Sequence, residues 1–480
     1  MDAFLASLKA FVDTLGSTVL LPVFIFVFAV VLGAKPGRAF RSAVLIAVAF
    51  IGINLVIGLM LGALGTVSSA IVQNAGIQRD ILDVGWPSAA AIAFGSSVGL
   101  WVIPIGLLVN LALLLTGVTK TLNVDLWNFW HYAFAGSLVV AMTNNLALGL
   151  VAAALYAALM LFFADWTGPA VQKFYNLPNV SIPHGTSSAY VPLAIPINWL
   201  LDRIPGVKDW NINPENVQKR LGPTFGDPMI VGLVIGLVLG VIGYGWPVLF
   251  QGQQVDGLQL TSQILTLGVQ LAASMVLLPR MVGILMEGLI PVSEAAREFM
   301  QKRAAGREIF IGLDSAILIG HPSVISSALI LVPIAILLSA ILPGNRVLLA
   351  ADLAVIPFVI AIFAPMTRGN VFRIVVIGTI ALAIGFYVGN AISPQMTTAA
   401  QQANFAMPEG VSQITSIADG FIWIPLVFMW LGSLGGGLGW LGLAVILAAV
   451  AAAFYFYSRS RKAWEVAAGA AEEASSAPIR

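Results

Sequence analysis

The chain has 480 residues, 59% of them hydrophobic and only 9% charged, with a formal net charge of +1 and no cysteine. A soluble domain carries about 25% charged residues, and a water-soluble fold could not hide this much apolar surface, so the composition excludes that class and points to a bilayer. The near-neutral charge gives no case for a nucleic-acid partner, and the missing thiols exclude disulfides, thiolate metal sites and a phosphocysteine carried by this chain.

The opening, with Asp2, Asp13 and one Lys9, lacks the basic start of a cleavable signal and reads as a retained helix closed by Lys35, Arg38 and Arg41. Apolar stretches of about 20 residues, long enough to span, follow at 15–34, 42–64 and 97–118 without a single charge, and at 229–250, 258–278, 323–342, 347–366 and 371–392. The stretch 132–163 is too long for one upright span and predicts a tilt or a break near Thr143, Asn144 and Asn145. The stretch 421–457 holds two spans with a break at Gly435, Gly436 and Gly437. Basic residues keep short loops cytoplasmic: Lys35, Arg38 and Arg41 put the N-terminus outside, and Arg459, Arg461 and Lys462 put the C-terminus inside. An odd number of crossings is then required, and about eleven fits an all-α polytopic membrane protein.

Three stretches are not simple spans: 73–95, 172–228 and 280–307 mix charges, prolines and amides with apolar residues. Non-helical backbone is tolerated at membrane depth only where protein buries it or a wet cavity faces it, and interrupted segments point to a transporter's binding site. The sequence therefore predicts one membrane-embedded transport domain over 1–462, a polar re-entrant or cytoplasmic region at 172–228 and a disordered cytoplasmic tail at 463–480. Gly37-x-x-Phe40-Arg41 returns as Gly369-x-x-Phe372-Arg373, and Gly16-x-x-Val19-Leu20-Leu21 returns at a similar offset as Gly344-x-x-Val347-Leu348-Leu349. These echoes suggest two related halves, as in inverted-repeat transporters.

A charge at the bilayer centre costs roughly 2.5–3.5 kcal/mol on insertion scales, so polar groups in this oily chain mark candidate sites. His131 follows the cluster Trp127-Asn128-Phe129-Trp130 and reads equally as an interfacial anchor or a substrate contact. His184 heads His184-Gly185-Thr186-Ser187-Ser188, whose small residues allow close approach. Asp314, followed by Ser315, lies in an apolar stretch before His321, and His321 precedes Pro322 as a helix-start residue would. Glu287 either pairs with Arg280 or faces a cavity, and Asn144 and Asn145 serve either as helix–helix glue or as sugar contacts. Together these groups can replace the hydrogen bonds that an uncharged polyol loses on leaving water. No metal-ligand cluster and no cofactor motif stands out.

An ordered set of motifs then carries a family likeness: Ile182-Pro183-His184-Gly185, Ala189-Tyr190-Val191-Pro192, Pro196-Ile197-Asn198, Asp202-Arg203-Ile204-Pro205-Gly206, Gly226-Asp227-Pro228-Met229, Pro279-Arg280-Met281-Val282, Ile284 to Pro291, Gly312-Leu313-Asp314-Ser315 and Gly320 to Ser326. Over 16–392 the chain resembles the galactitol-specific IIC component of the bacterial phosphotransferase system. That resemblance implies an inner-membrane permease, grouped with the ascorbate transporter, whose members are eleven-helix homodimers with a mobile core moving elevator-like against a scaffold. It implies a polyol bound near the midplane and phosphorylated at the cytoplasmic face by a separate phosphocysteine IIB protein, itself charged by enzyme I, HPr and IIA. By analogy with the ascorbate relative, His131, His184, Gly185 and Asp314 line the sugar. Asp314 or His184 would be the catalytic base, with Asn144, Asn145, Thr186, Glu287, Ser315 and His321 as further candidate contacts. The basic residues Arg203, Lys208, Lys219, Arg220, Arg297, Lys302 and Arg303 either steer the phosphorylated partner or serve as topology signals. The rival reading is an ion-coupled polyol carrier that releases its cargo unmodified.

Overall fold

A computed structural model describes residues 22–207, 210, 212, 228–303 and 308–470, apart from 24, 28, 75, 77, 78, 350, 409, 410 and 436. After helical residues within 22–31 come α1 (Pro36–Asn74), then β1 (Ile81–Asp83), α2 (Trp86–Gly95), α3 (Gly99–Leu115), β2 (Thr121–Asn123), a 3-10 turn (Trp127–Phe129), α4 (Trp130–Thr143), α5 (Leu146–Tyr175), β3 (Val180–Ser181), α6 (Gly185–Ser188) and α7 (Val191–Leu201). After α8 (Pro228–Tyr244), α9 (Trp246–Gln251) and α10 (Gly257–Arg303), a matching series follows. It runs β4 (Phe310–Gly312), α11 (Ala316–Ile319), α12 (Pro322–Ile341), β5 (Val347–Leu348), a 3-10 turn (Leu353–Val355), α13 (Ile356–Ala361), α14 (Phe363–Met366), α15 (Val371–Gln402), β6 (Gln413–Thr415) and α16 (Trp423–Gly432). Helices α17 (Gly439–Arg459) and α18 (Arg461–Ala467) close the described chain.

Among the described residues, six helices are long and apolar enough to cross a membrane, or seven if the bent pair α2–α3 counts as one span. This is a multi-pass membrane protein, and the helices carry nearly all of it. It is not purely α, because among the described residues six short strands form two parallel sheets of order β2-β4-β3 and β5-β1-β6. In each sheet the central strand comes from the other series. Asn123 and Ser181 both pair with Gly312, and Ile81 pairs with both Val347 and Gln413. Backbone that leaves a helix inside the protein must find partners for its N–H and C=O groups, and the short ladders supply them. The Gly37/Gly369 echo does not follow this order, in which β1 answers β4 and β3 answers β6, and Gly16 of the other echo lies outside the described residues.

Local chemistry sets the breaks. Ser96 accepts from the N–H of Gly99 (3.1 Å) and donates to Ala93 O (2.7 Å), where α2 and α3 meet at 87°. At the expected break, Asn144 is left-handed (φ 52°) and the Asn145 side-chain Oδ1 accepts from the N–H of Leu148, capping α5. The glycine-rich break between α16 and α17 is also present. Asp165 pins α5 to β2: it accepts from the hydroxyls of Thr119 and Thr121 (2.8 Å each) and from the Lys120 N–H.

Three expectations need correction. The stretch 347–366 is not a span but β5, a 3-10 turn and two short helices, since Asp352 turns the chain and Pro357 starts a new helix. The stretch 280–307 is not interrupted up to Arg303, because its Glu, Ala, Arg, Met, Gln and Lys residues are good helix formers that extend α10. The tail is not disordered from 463. Trp464 packs on Trp166 (4.7 Å), the Trp166 indole donates to Trp464 O (2.6 Å), and Arg461 and Tyr457 both donate to Glu465, which together hold α18. Residues 471–480 lie outside the described residues. Helices α1, α8 and α10 pack on one another as a layer beside the sheet-bearing core.

Candidate functional site

Parallel strands send their C-terminal ends to one edge, and in parallel sheets ligands bind outside that edge. Past β2 comes Asp125, past β3 comes His184 and past β4 come Asp314 and Ser315, so register alone gathers groups far apart in the chain. His184 is held as the cap of α6: its Nδ1 accepts from the Ser187 N–H (3.4 Å). That fixes the ring and turns Nε2 toward Asp314 Oδ1 at 3.7 Å, too long for a direct hydrogen bond. Asp314 in turn accepts from the Ala316 N–H (2.8 Å) and keeps its side chain 22% exposed.

His131, at the start of α4, is fully buried, with its ring centroid 4.6 Å from that of His184. A Cβ on Gly185 would lie 2.6 Å from His131 Cγ, so only glycine lets α6 approach this ring. His131 Nδ1 lies 2.7 Å from Asp419 Oδ2, and Asp419 is also fully buried. The loop after β6 that carries Asp419 is zipped to the loop after β3. Thr186 donates to Ala418 O (2.8 Å), Tyr190 to Phe421 O (2.6 Å) and the Trp423 indole to Ala189 O (2.9 Å). The two series therefore meet at the histidine pair.

The electrostatic character follows from what is left unpaired. His131 Nε2, Ser187 Oγ, Ser315 Oγ and Asp419 Oδ1 are buried and have no hydrogen-bond partner among the described residues. Buried polar groups normally have partners, so a cluster of bare donors and acceptors suits a ligand rich in hydroxyls. Asp125 accepts from the Asn128 amide (2.5 Å) and lies close enough to Asp314 for their charges to repel. Away from the spans, the Arg346 guanidinium hydrogen-bonds Asp80 beside β1 and holds its carboxyl below the usual range.

Of the candidate residues, the structure places His131, His184, Gly185 and Asp314 next to one another, with Ser315 following Asp314 and Thr186 acting as a brace to Ala418. It does not bring in the other four. Asn144 and Asn145 close α4 at the far end from His131, about 20 Å away at 1.5 Å per residue, and shape the break to α5. Glu287 is exposed on α10. His321 caps α12 by accepting from the Ser323 N–H (3.2 Å), with its ring against Phe174 and Tyr175. Asp419, Asp125 and Ser187 were missed. Asp419, a lone carboxylate in Ile417-Ala418-Asp419-Gly420, meets the same criterion of a charge in an apolar stretch that selected Asp314.

Of the basic residues, Arg203 stacks over Trp199. Lys208, Lys219 and Arg220 lie outside the described residues, as do the side chains of Arg297, Lys302 and Arg303.

Comparison with known proteins identifies the family. A model of the EIIC-GAT family, described as PTS system sugar-specific permease component, matches residues 10–410. The galactitol-specific EIIC component of the PTS system from Escherichia coli (strain K12) is 36% identical over 374 residues, 78% of this chain and 80% of the relative. A putative permease IIC component from the same strain is 35% identical over 446 residues, 93% and 98% of the two chains. Coverage of this extent, on a multi-pass fold, is more than a shared fold. The chain belongs to the EIIC-GAT family and is a membrane permease subunit of a sugar phosphotransferase system.

Proposed function

We propose that this permease binds galactitol or a closely related polyol between His131, His184 and Asp314, and presents it inward for phosphorylation by a phosphocysteine IIB protein. The observation that carries this reading is the set of unpartnered buried polar atoms around two facing histidines and a carboxylate. An uncharged polyol can donate to Asp314, His131 Nε2 and Asp419 Oδ1 and accept from Ser187, Ser315 and His184. The relatives named for galactitol support the choice of sugar. In the reaction, a sugar oxygen forms a bond to phosphorus in line with the departing cysteine sulfur, and the hydroxyl proton passes to a base. Asp314 is the favoured base, because it is the part of the site open to entering groups; His184 orients the hydroxyl. This chain has no cysteine, so the donor sulfur belongs to the IIB partner, which the upstream phosphorelay recharges.

The wider arrangement belongs to the same proposal. It comprises eleven spans with the N-terminus outside and the C-terminus inside, a homodimer, a transport domain over 1–462, and a sheet-bearing core that moves against the α1, α8 and α10 layer. Reconstituted vesicles with IIB and a phosphoryl donor test it: galactitol phosphate should form without an ion gradient. Uphill uptake of unmodified galactitol driven by protons would overturn it. Asp314→Asn should lower phosphorylation at least 100-fold while galactitol still binds, and a fully active variant would remove Asp314 from the chemistry.

A further inference from the structure

Resting on the reading of these side chains as a polyol site, we infer that Asp419 is a positioning residue, which fixes the His131 imidazole so that its bare Nε2 accepts a sugar hydroxyl. The contact is specific. His131 Nδ1 lies 2.7 Å from Asp419 Oδ2, both side chains are fully buried, and they come from opposite series of elements. A carboxylate only accepts, so the proton of a neutral imidazole is drawn to Nδ1, leaving the Nε2 lone pair free. Nε2 is the ring atom with no protein partner. His184 is fixed the opposite way: its Nδ1 accepts from the Ser187 N–H, so its Nε2 carries the proton. The two facing rings thus offer one acceptor and one donor, the pair that a single hydroxyl uses at once.

Asp419 is itself placed by a relay of carboxylates at the ends of the β5-β1-β6 sheet. Asp83 accepts from the Asp352 N–H (2.8 Å), and Asp352 accepts from the Ser416 hydroxyl (2.8 Å) and the Ala418 N–H (3.3 Å). The second sheet therefore sets the hydrogen-bonding direction of a histidine in the site of the first. A purely packing role for Asp419 would not need the ring nitrogen to face it at this distance.

The chain has three histidines, so a 15N-histidine spectrum of the full-length protein in lipid nanodiscs is readable, with His131→Gln assigning its signals. Wild-type protein should show His131 protonated at Nδ1 and bare at Nε2, with the Nε2 signal moving on addition of galactitol. Asp419→Asn should shift the ring toward the other tautomer and weaken galactitol binding roughly tenfold, the worth of one hydrogen bond. A wild-type His131 protonated at Nε2 overturns the inference and leaves the polyol site standing. If the variant fails to fold, the wild-type tautomer and its response to galactitol decide. If galactitol does not bind at all, the functional proposal falls, while the tautomer still reports on Asp419.

Discussion

Adding a single methyl group at Gly185 tests the geometry of the site most sharply. In Gly185→Ala the new carbon would sit 2.6 Å from His131 Cγ and 2.7 Å from its Cβ. Carbon pairs rest at about 3.5–4.0 Å, so ring and loop must separate by about 1 Å. Neither has room: His131 has no exposed surface, its ring lies 4.0 Å from that of Trp130, and Asp419 holds Nδ1 at 2.7 Å. The loop is zipped to Ala418 through Thr186. Overpacking of this kind costs about 1–3 kcal/mol, and a 1 Å misplacement of a reacting constellation lowers turnover about 100-fold. Galactitol phosphorylation in reconstituted vesicles, with thermal melting on the same samples, measures both. Gly283→Ala on α10 is the control, because a Cβ there meets nothing within 4 Å, and it should leave both readings unchanged. Wild-type turnover and melting in Gly185→Ala would refute the placement of His131 against this loop.

Three further outcomes follow from the same reasoning. Asp165→Ala leaves the hydroxyls of Thr119 and Thr121 and the Lys120 N–H without their acceptor inside the protein. It should cost about 3 kcal/mol, read as a lower melting midpoint in detergent, and an unchanged midpoint would contradict it. Asn145→Ala removes the cap of α5 and should cost about 1 kcal/mol without changing galactitol affinity; a drop in affinity beyond the change in stability would return Asn145 to the site. Because Arg346 lowers the folded-state value of Asp80, that pair stabilises the fold above the unfolded carboxyl value near 4 and stops doing so as pH falls through the folded value. Both side chains are about half exposed, so the effect is at most about 1 kcal/mol. The melting gap between wild type and Arg346→Gln should be present at pH 7 and close on acidification, and a gap that widens would reverse the assignment.

Much of this protein could be read from its residues in order. Most of the apolar stretches are helices, because a bilayer-length apolar run satisfies its backbone only as a helix, and 347–366 departs from this where Asp352 and Pro357 break it. The break at Asn144 and Asn145 was readable because adjacent amides favour a left-handed turn and a cap. His184, Gly185 and Asp314 were readable because charge and small residues are expensive or conspicuous in an apolar chain.

What the sequence could not supply is pairing across distance. Strands of two or three residues carry too little periodicity to register, so the two sheets and their exchanged central strands were invisible, and with them the edge on which Asp125, His184 and Asp314 meet. The same blindness let Asn144, Glu287 and His321 stand beside the true neighbours, since each is a polar group in an oily run and only packing separates a cap from a contact. Asp419 shows the limit most directly. Composition marks it as an unusual carboxylate, but that it grips His131 is decided by the folded chain, because a hydrogen bond depends on position within a few tenths of an ångström and linear order does not fix that.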